Sequence, residues 1–307
     1  MTEQRPAKPQ NTRIPYTVIQ KDDELAALHE RLRARRCTRL AIDVEGENNL
    51  HRYGIHVSLI QLFDGERGFI IDALAVRNTK HLSQILVKAP WTLVWFDAGN
   101  DLLSFQHALG IKPSPILDLA LAARLLGKKG GLHAFTPRSD SASAKDRLQK
   151  ANWMRRPLSP ALLDYAISDV ADLFPLADSL MVELEKKRLM AEFQAKNLAA
   201  QEMDRTWDPF PNYVRIPGFK YLDPEDKRLC RLLWCARELY ARERDLPPMN
   251  VASKEDLRRM VDRGKRTAGE IARFLNENRN RNRVDPARFE SCMREAKAMI
   301  GGVPTAD

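Results

Sequence analysis

Strand-length segments alternate with helical segments through the first two thirds of the chain, whereas the last third shows helical patterns only. Apolar runs of strand length lie at Leu40–Glu45, His56–Phe63, Gly68–Ile71 and Trp91–Phe96. Helical spacing of apolar residues lies at 23–36, Asn100–Leu109, Leu117–Leu126 and beyond Ser159-Pro160. Strands that come first and then alternate with helices favour an α/β layer structure with a mixed sheet.

The last third predicts a separate bundle of helices. Residues 207–218, just before it, hold three prolines and a glycine, as linkers often do. Helices are predicted at Pro224–Arg242, Lys254–Val261, Thr267–Asn276 and Pro286–Met299. We therefore expect a flexible tail over 1–16, an α/β domain over 17–198, a linker over 199–218, a helical domain over 219–300 and a tail over 301–307.

Positive charge is concentrated in the predicted helical domain. The chain carries a formal net charge of +9, and residues 219–300 contain 20 Lys and Arg against 14 Asp and Glu. A basic surface of this kind favours a polyanionic partner such as nucleic acid. A solvated helical surface of mixed charge is the alternative explanation.

Several protein classes are disfavoured by the composition. No apolar stretch reaches the length of a membrane span, and residues 1–13 lack the apolar core of a secretory signal. The four cysteines show no zinc-ligand spacing; they are Cys37, Cys230, Cys235 and Cys292. We expect a reduced, cytoplasmic protein without a membrane anchor or structural zinc.

Two carboxylates separated by one residue end the first apolar run. Asp43 and Glu45 point to the same side of a strand, because side chains two apart share a face. Two like charges so placed raise each other's pKa unless a cation neutralises them, and paired carboxylates suit Mg²⁺ or Mn²⁺. A strand that runs out into a solvated turn is the alternative.

Further acids follow the fourth apolar run. Asp101 lies in the first turn of a predicted helix, where it is a metal-ligand candidate or simply an acid favoured by the helix dipole. Asp97 competes with it as a ligand, and we prefer Asp101 because Leu102 and Leu103 pack behind it. Asp118 is interpreted as a helix cap.

A tyrosine and an aspartate share one face of the helix that begins at Ser159-Pro160. Tyr165 and Asp169 are four residues apart, and Pro175 is expected to end or kink the helix. The carboxylate can bind a metal while the phenol holds a water, although simple packing would give the same spacing. Four carboxylates converging at one sheet end would favour two divalent ions and phosphodiester cleavage.

These motifs together resemble the 3′–5′ exonucleases that carry four acids and a tyrosine, and among them the ribonuclease D group. The resemblance rests on Asp43-Val-Glu45, the strand 57–64, Asp101, Ala122–Leu126, the stretch Asn152–Leu158, and Tyr165 with Asp169. It covers residues 17–198 in order and implies a ribonuclease H-like mixed-sheet fold. It also implies that two Mg²⁺ or Mn²⁺ ions bind Asp43, Glu45, Asp101 and Asp169, with Tyr165 orienting the attacking water.

The helical third resembles the C-terminal module shared by helicases and ribonuclease D (HRDC). The similar residues are Tyr221–Glu225 and Ala236–Pro248. This resemblance implies a small bundle that contacts nucleic acid, or a structural lid. Together the two resemblances imply an exoribonuclease that releases nucleoside 5′-monophosphates from RNA with a free 3′ end, such as a tRNA precursor. A DNA exonuclease and an inactive nucleic-acid-binding protein remain alternatives.

Two segments are candidates for substrate contact. The loop 46–56 after the first motif is unusual for the family, and its His51, Arg52 and Tyr53 are candidates to touch the terminal nucleotide. Arg155 and Arg156, with the loop 128–150, are candidates for phosphate contact or for a structural role. Phe96 also departs from the family, because many relatives carry His there.

Overall fold

The computed structural model describes residues 14–136, 148–277 and 283–301. The expected N-terminal tail lies outside this range up to residue 13, as do residues 137–147 of the loop 128–150 and the end of the chain from 302. The protein divides into two compact units. Residues up to Gly46 and His56–Thr206 form the sheet unit, and Glu47–Ile55 joins the residues from Trp207 onward in the helical unit.

A six-stranded mixed sheet forms the centre of the first unit. The strands are β1 (Tyr16–Ile19), β2 (Arg39–Asn48), β3 (Ile55–Phe63), β4 (Gly68–Asp72), β5 (Thr92–Trp95) and β6 (Ile116–Asp118). Their order across the sheet is β1-β4-β3-β2-β5-β6. Strands β3 and β4 pair antiparallel, whereas β1–β4, β2–β5 and β5–β6 are parallel. The predicted mixed sheet is confirmed.

Helices cover both faces of this sheet. They are α1 (Asp22–Ala34), α2 (Thr79–Leu86), α3 (Gly99–Leu109), α4 (Leu119–Leu125), α5 (Pro160–Ala171), α6 (Leu173–Lys186) and α7 (Met190–Glu202). One core packs α1, α2 and α3 against Leu40 and Ile42 of β2. A second core packs α4 to α7 against Ala41 of the same strand. Odd-numbered residues of β2 up to Glu45 therefore lie on the face that carries α5.

The sequence assigned one strand incorrectly to a helix. Residues 116–118 form β6, and α4 begins only at Leu119. The reason is the cap, because the Asp118 carboxylate accepts the Ala120 backbone N–H at 2.9 Å. The interpretation of Asp118 as a cap is confirmed. The same side chain also accepts the backbone N–H groups of Asp97 and Ala98, so it joins the end of β5 to the start of α4.

The start of α5 is as predicted. Ser159 is the N-cap, its hydroxyl accepts the Leu162 N–H, and Pro160 is the first helical residue. The helix ends at Ala171, and Pro175 falls in the first turn of α6, where a missing N–H costs nothing. The next helix, α7, runs to Glu202 and so crosses the expected domain limit at residue 198.

The second unit is built from helices around its own core. They are α8 (Pro224–Glu243), α9 (Pro248–Val251), α10 (Lys254–Asp262), α11 (Ala268–Glu277) and α12 (Pro286–Gly301), after 3₁₀ turns at Phe210–Arg215 and Phe219–Tyr221. The core centres on α8, whose buried residues include Leu233 and Leu239. Within the described residues, no helix combines the length and apolar character needed to cross a bilayer.

Candidate active site

Three carboxylates from two distant segments meet on one face of the sheet. Asp43 and Glu45 extend from β2, and Asp169 lies on α5. One oxygen atom from each of the three lies within 4.8 Å of the others. Asp169 is 8% exposed, while Asp43 and Glu45 are half-buried. Asp169 is more than 120 residues from Glu45 in sequence, and only the fold brings the two side chains together.

Two close backbone contacts make this convergence possible. A side chain at Gly46 would place its Cβ only 2.3 Å from the carbonyl oxygen of His56, so glycine is required directly after Glu45. A Cβ at Gly68 would lie 2.5 Å from Cδ1 of Ile167. Because Ile167 lies between Tyr165 and Asp169 along α5, the bare backbone at Gly68 lets that helix rest directly on β4.

The Tyr165 phenol lies against the carboxylate cluster. Its hydroxyl hydrogen-bonds Asp169, and its ring packs beside Trp153 with 6.2 Å between ring centres. Burial, followed by the charges of Asp169 and Glu45, raises the pKa of Tyr165. The phenol therefore stays protonated at neutral pH and can donate a hydrogen bond while its oxygen accepts another.

Asp101 lies apart from this group. Among the described residues, the set whose oxygens approach within 4.8 Å contains Asp43, Glu45 and Asp169 and does not include Asp101. The Trp95 indole N–H donates to Oδ2 of Asp101 at 2.9 Å. Burial raises the pKa of the Asp101 carboxyl to about 7, and the charges of Asp97 and Asp118 add to the rise. A nearby cation would restore its ionised form.

The competing acid, Asp97, faces solvent. It is exposed, has a left-handed backbone with φ of 62°, and pairs with Arg124 at 3.4 Å. The metal-ligand group of the described residues does not include it either. Asp101 is therefore held by a hydrogen bond from Trp95, whereas Asp97 is exposed.

Three carboxylates so close together form a donor set for a hard divalent cation. Mutual repulsion disfavours the charged state of such a cluster unless positive charge is supplied. Carboxylate oxygens are the ligands that Mg²⁺ and Mn²⁺ prefer, and Mg²⁺ sites commonly use few protein oxygens and leave positions for water and phosphate. The three clustered carboxylates therefore fit the expected metal, and Asp101 lies outside their group.

The Arg156 guanidinium makes several hydrogen bonds to residues of the sheet unit. Its guanidinium binds both carboxylate oxygens of Asp72, at 2.7 and 2.6 Å, and reaches the Ser58 hydroxyl at 3.1 Å. It also donates to the carbonyl of Trp153 at 2.7 Å. Asp72 is 3% exposed. This network holds the Trp153 backbone, whose ring lies beside Tyr165, and it is compatible with the structural alternative for Arg156; phosphate contact by Arg156 and by the exposed Arg155 stays a prediction.

Replacing Arg156 with Met is expected to lower the free energy of unfolding by about 3–5 kcal/mol, because Asp72 would keep a buried charge without its partner. Urea denaturation measures this change. The matched control is Arg155→Met, which is expected to change stability by less than about 0.5 kcal/mol because the side chain is exposed. Unchanged stability of Arg156→Met combined with weaker RNA binding would instead make Arg156 a phosphate contact.

The other proposed substrate contacts lie in the helical unit. His51 Nδ1 lies 3.1 Å from a Glu47 oxygen, and Arg52 pairs with Asp245 at 2.8 Å. Tyr53 is 9% exposed, so its ring offers little surface to a nucleotide. Contact of these three side chains with substrate stays a prediction.

Sequence reasoning missed the residues that support the site. Trp95 holds Asp101, and Asp72 holds Arg156 from 84 residues away. Trp153 lies in the stretch Asn152–Leu158 that resembles the family, but its packing beside Tyr165 has no local sequence signal. No local pattern predicts either pairing: Arg156 and Asp72 are 84 residues apart, and Trp95 and Asp101, although only six residues apart, lie on a strand and on the helix that follows it.

Sequence comparison finds a 3′–5′ exonuclease family model and several ribonucleases D that are similar to this chain. A family model described as 3′–5′ exonuclease matches residues 16–185, more than half of the chain. Ribonuclease D of Xanthomonas oryzae pv. oryzae is 32% identical over 254 residues, which is 80% of this chain and 66% of that protein. Ribonuclease D of Cronobacter turicensis is 29% identical, over 83% of this chain and 69% of the relative. The chain thus spans about two thirds of these relatives.

Solved structures show the same fold. The structure of Escherichia coli RNase D, described as an exoribonuclease involved in structured RNA processing, has a TM-score of 0.69 at 25% identity. It is matched over 95% of this chain and 76% of that one. The catalytic core of RRP6 from Trypanosoma brucei has a TM-score of 0.74 at 22% identity, over 93% and 80% of the two chains. This protein therefore belongs to the 3′–5′ exonuclease family and is ribonuclease D-like.

Proposed function

We propose that this protein is a 3′–5′ exoribonuclease that uses two Mg²⁺ or Mn²⁺ ions and releases nucleoside 5′-monophosphates from the 3′ end of RNA. The observation that supports it most is the meeting of Asp43, Glu45 and Asp169, with Tyr165 hydrogen-bonded to the last of them. Neither the strand nor the helix alone would place a phenol beside three carboxylates.

The four acids have distinct tasks in this proposal. Asp43, Glu45 and Asp169 would hold the first ion, and Asp101, oriented by the Trp95 indole, would contribute a carboxylate oxygen to a second. Bound ions would make a water more acidic and stabilise the oxygen that leaves as the 3′ hydroxyl. Without the ions, the clustered carboxylates would repel the phosphate groups of the RNA. Productive binding of the substrate is therefore expected only when the cations are present.

Tyr165 orients the attacking water. Its raised pKa keeps the hydroxyl proton in place, and its bond to Asp169 leaves an oxygen lone pair for the water. Glu45 lies in the same group and can accept the proton from that water. The Trp153 ring restricts the phenol to this position.

We also assign the helical unit to the HRDC class, with RNA contact by its basic surface, and the protein to cytoplasmic RNA 3′-end processing such as tRNA maturation. The basic composition of residues 219–300 supports RNA contact, and similarity to the E. coli protein, described as an exoribonuclease involved in structured RNA processing, supports a role in RNA processing. The four cysteines are free thiols, in keeping with a reducing compartment.

A time course on 5′-labelled RNA with a single-stranded 3′ extension tests the function. Mg²⁺ or Mn²⁺ is expected to give a ladder that shortens from the 3′ end with nucleoside 5′-monophosphates released, and EDTA is expected to stop it. A DNA strand of the same sequence serves as the parallel substrate. Faster shortening of the DNA would make the protein an exodeoxyribonuclease, and binding without shortening of either strand would make it a binding protein.

A further inference from the structure

The loop that follows the two carboxylates of β2 packs into the helical unit. Residues 47–55 make their contacts with the unit that starts at Trp207, although β2 itself runs from Arg39 to Asn48. The strand that carries Asp43 and Glu45 therefore crosses from one unit into the other within a few residues. Glu47, two residues beyond Glu45, already belongs to the helical unit.

Tyr53 is the buried anchor of this loop. Its side chain belongs to the core of the helical unit and is 9% exposed. The ring packs edge-on to Trp207, with ring centres 5.7 Å apart. The hydroxyl hydrogen-bonds Glu238 of α8. A buried aromatic ring whose hydroxyl group makes a hydrogen bond fixes both the position and the orientation of the loop that carries it.

Glu238 is itself part of a buried ion pair. It binds Arg237 directly, and the two residues are 2% and 3% exposed. The Arg237 guanidinium stacks over the Trp234 ring at 3.8 Å and donates to the Ala252 carbonyl at 3.3 Å. A buried carboxylate needs every partner available to it, so the Tyr53 hydroxyl contributes to keeping this group charged.

Asp245 holds the backbone of the same loop. Its carboxylate accepts the backbone N–H of Tyr53 at 3.2 Å and binds the Arg52 guanidinium at 2.8 Å. Asp245 lies just after α8 with a left-handed backbone, φ of 49°. The loop is thus attached to the helical unit at the side chain and at the main chain.

The loop is also ordered within itself. The buried Glu47 carboxylate accepts the backbone N–H groups of Leu50 and His51. Asn49 and Gly54 exchange two hydrogen bonds across the turn, one of which is from the Gly54 N–H to the Asn49 side chain at 2.8 Å. Gly46 is also in close contact with the backbone of His56. These contacts restrain the backbone between Glu45 and Tyr53.

We infer that Tyr53, as the anchor of the loop 47–55, positions Asp43 and Glu45 for metal binding. Tyr53 is then a positioning residue that acts through this loop and the end of β2. This inference rests on the proposed function, because it presumes that the carboxylates bind a divalent cation.

The test measures Mn²⁺ affinity of the full chain by electron paramagnetic resonance, together with hydrogen exchange over 39–55. Tyr53→Phe removes the bond to Glu238, and Tyr53→Ala removes the ring as well. We expect Mn²⁺ binding to weaken roughly tenfold in Tyr53→Ala, as loss of an outer support commonly does, with a smaller loss in Tyr53→Phe. Exchange over 47–55 should rise in both. Tyr221→Phe, the same change at an 80% exposed tyrosine of the same unit, is the control and should match wild type.

Folding is checked by circular dichroism, and Glu238→Gln supplies a second route to the same lost bond if Tyr53→Ala does not fold. Folded Tyr53 variants that bind Mn²⁺ as wild type does would overturn the inference alone. Wild type that binds no Mn²⁺, or binds it equally after Asp43→Ala, would overturn the proposed function as well. Faster exchange over 47–55 without any change in Mn²⁺ affinity would leave Tyr53 a purely structural residue and also refute the inference.

Discussion

Asp43→Asn is expected to lower kcat/KM for RNA by roughly 10³-fold or more, since it removes one of the three clustered oxygen donors at the centre of the site. The same change should raise the stability of the metal-free protein. Asp43 lies beside Glu45 and Asp169, and converting one of three close carboxylates to an amide relieves repulsion while keeping the shape of the side chain.

Mn²⁺ should reverse the order of stability. Wild type gains stability from any ion that binds the folded state, by about 2.7 kcal/mol at a concentration one hundred times the dissociation constant. The variant lacks one ligand and should gain far less. Thermal melts of both proteins, with EDTA and with Mn²⁺, measure the effect.

Asp164→Asn is the matched control for this experiment. Asp164 lies on the same helix as Asp169 but accepts the Tyr16 hydroxyl at 3.1 Å, and the described metal-ligand group does not include it. We expect it to keep activity and the Mn²⁺ response. An active Asp43→Asn protein, or equal melting of wild type with and without Mn²⁺, would refute the assignment of the metal site.

Tyr165→Phe is expected to lower kcat by about 100-fold while RNA binding changes little, because the ring remains and only the hydroxyl that orients water is lost. Packing beside Trp153 is preserved, so stability should fall by no more than the value of one hydrogen bond, about 1 kcal/mol. Single-turnover rates at saturating protein separate the chemical step from binding.

Tyr16→Phe is the control for the tyrosine. Its hydroxyl donates to Asp164 on the same helix, so the change removes a similar bond away from the clustered carboxylates. Tyr16→Phe should keep its rate. Parallel losses in rate and in RNA affinity at Tyr165 would indicate a structural tyrosine, and an unchanged rate would remove it from the proposed mechanism.

Local features of the fold were predictable from the sequence. Ser159-Pro160 starts α5, and Asp118 caps α4, because both effects depend on a side chain and the backbone two or three residues away. The strand β6 was not predictable, since its three residues pair with β5 and carry no periodicity of their own. The short strand β1 was missed for the same reason; it pairs with β4, about 50 residues later.

Residue spacing proposed the individual members of the candidate site, and the family resemblance proposed their grouping, of which the structure brings together Asp43, Glu45 and Asp169. Spacing alone places Asp43 beside Glu45 on a strand and Tyr165 beside Asp169 on a helix. For Arg156 the sequence left phosphate contact and a structural role open. Only the structure shows that its guanidinium is bound to Asp72 on β4, a partner that no local pattern indicates.

The alternation of strands and helices, the helix caps and the types of residue available for metal chemistry can be inferred from the sequence, because they depend on neighbours along the chain. The fold was needed to show that Asp169 reaches Asp43 and Glu45, that Asp101 lies apart from their group, and that Tyr53 is buried in the helical unit. Such contacts join segments that lie far apart in sequence, and they form because burying the apolar faces of strands and helices in shared cores brings those segments together.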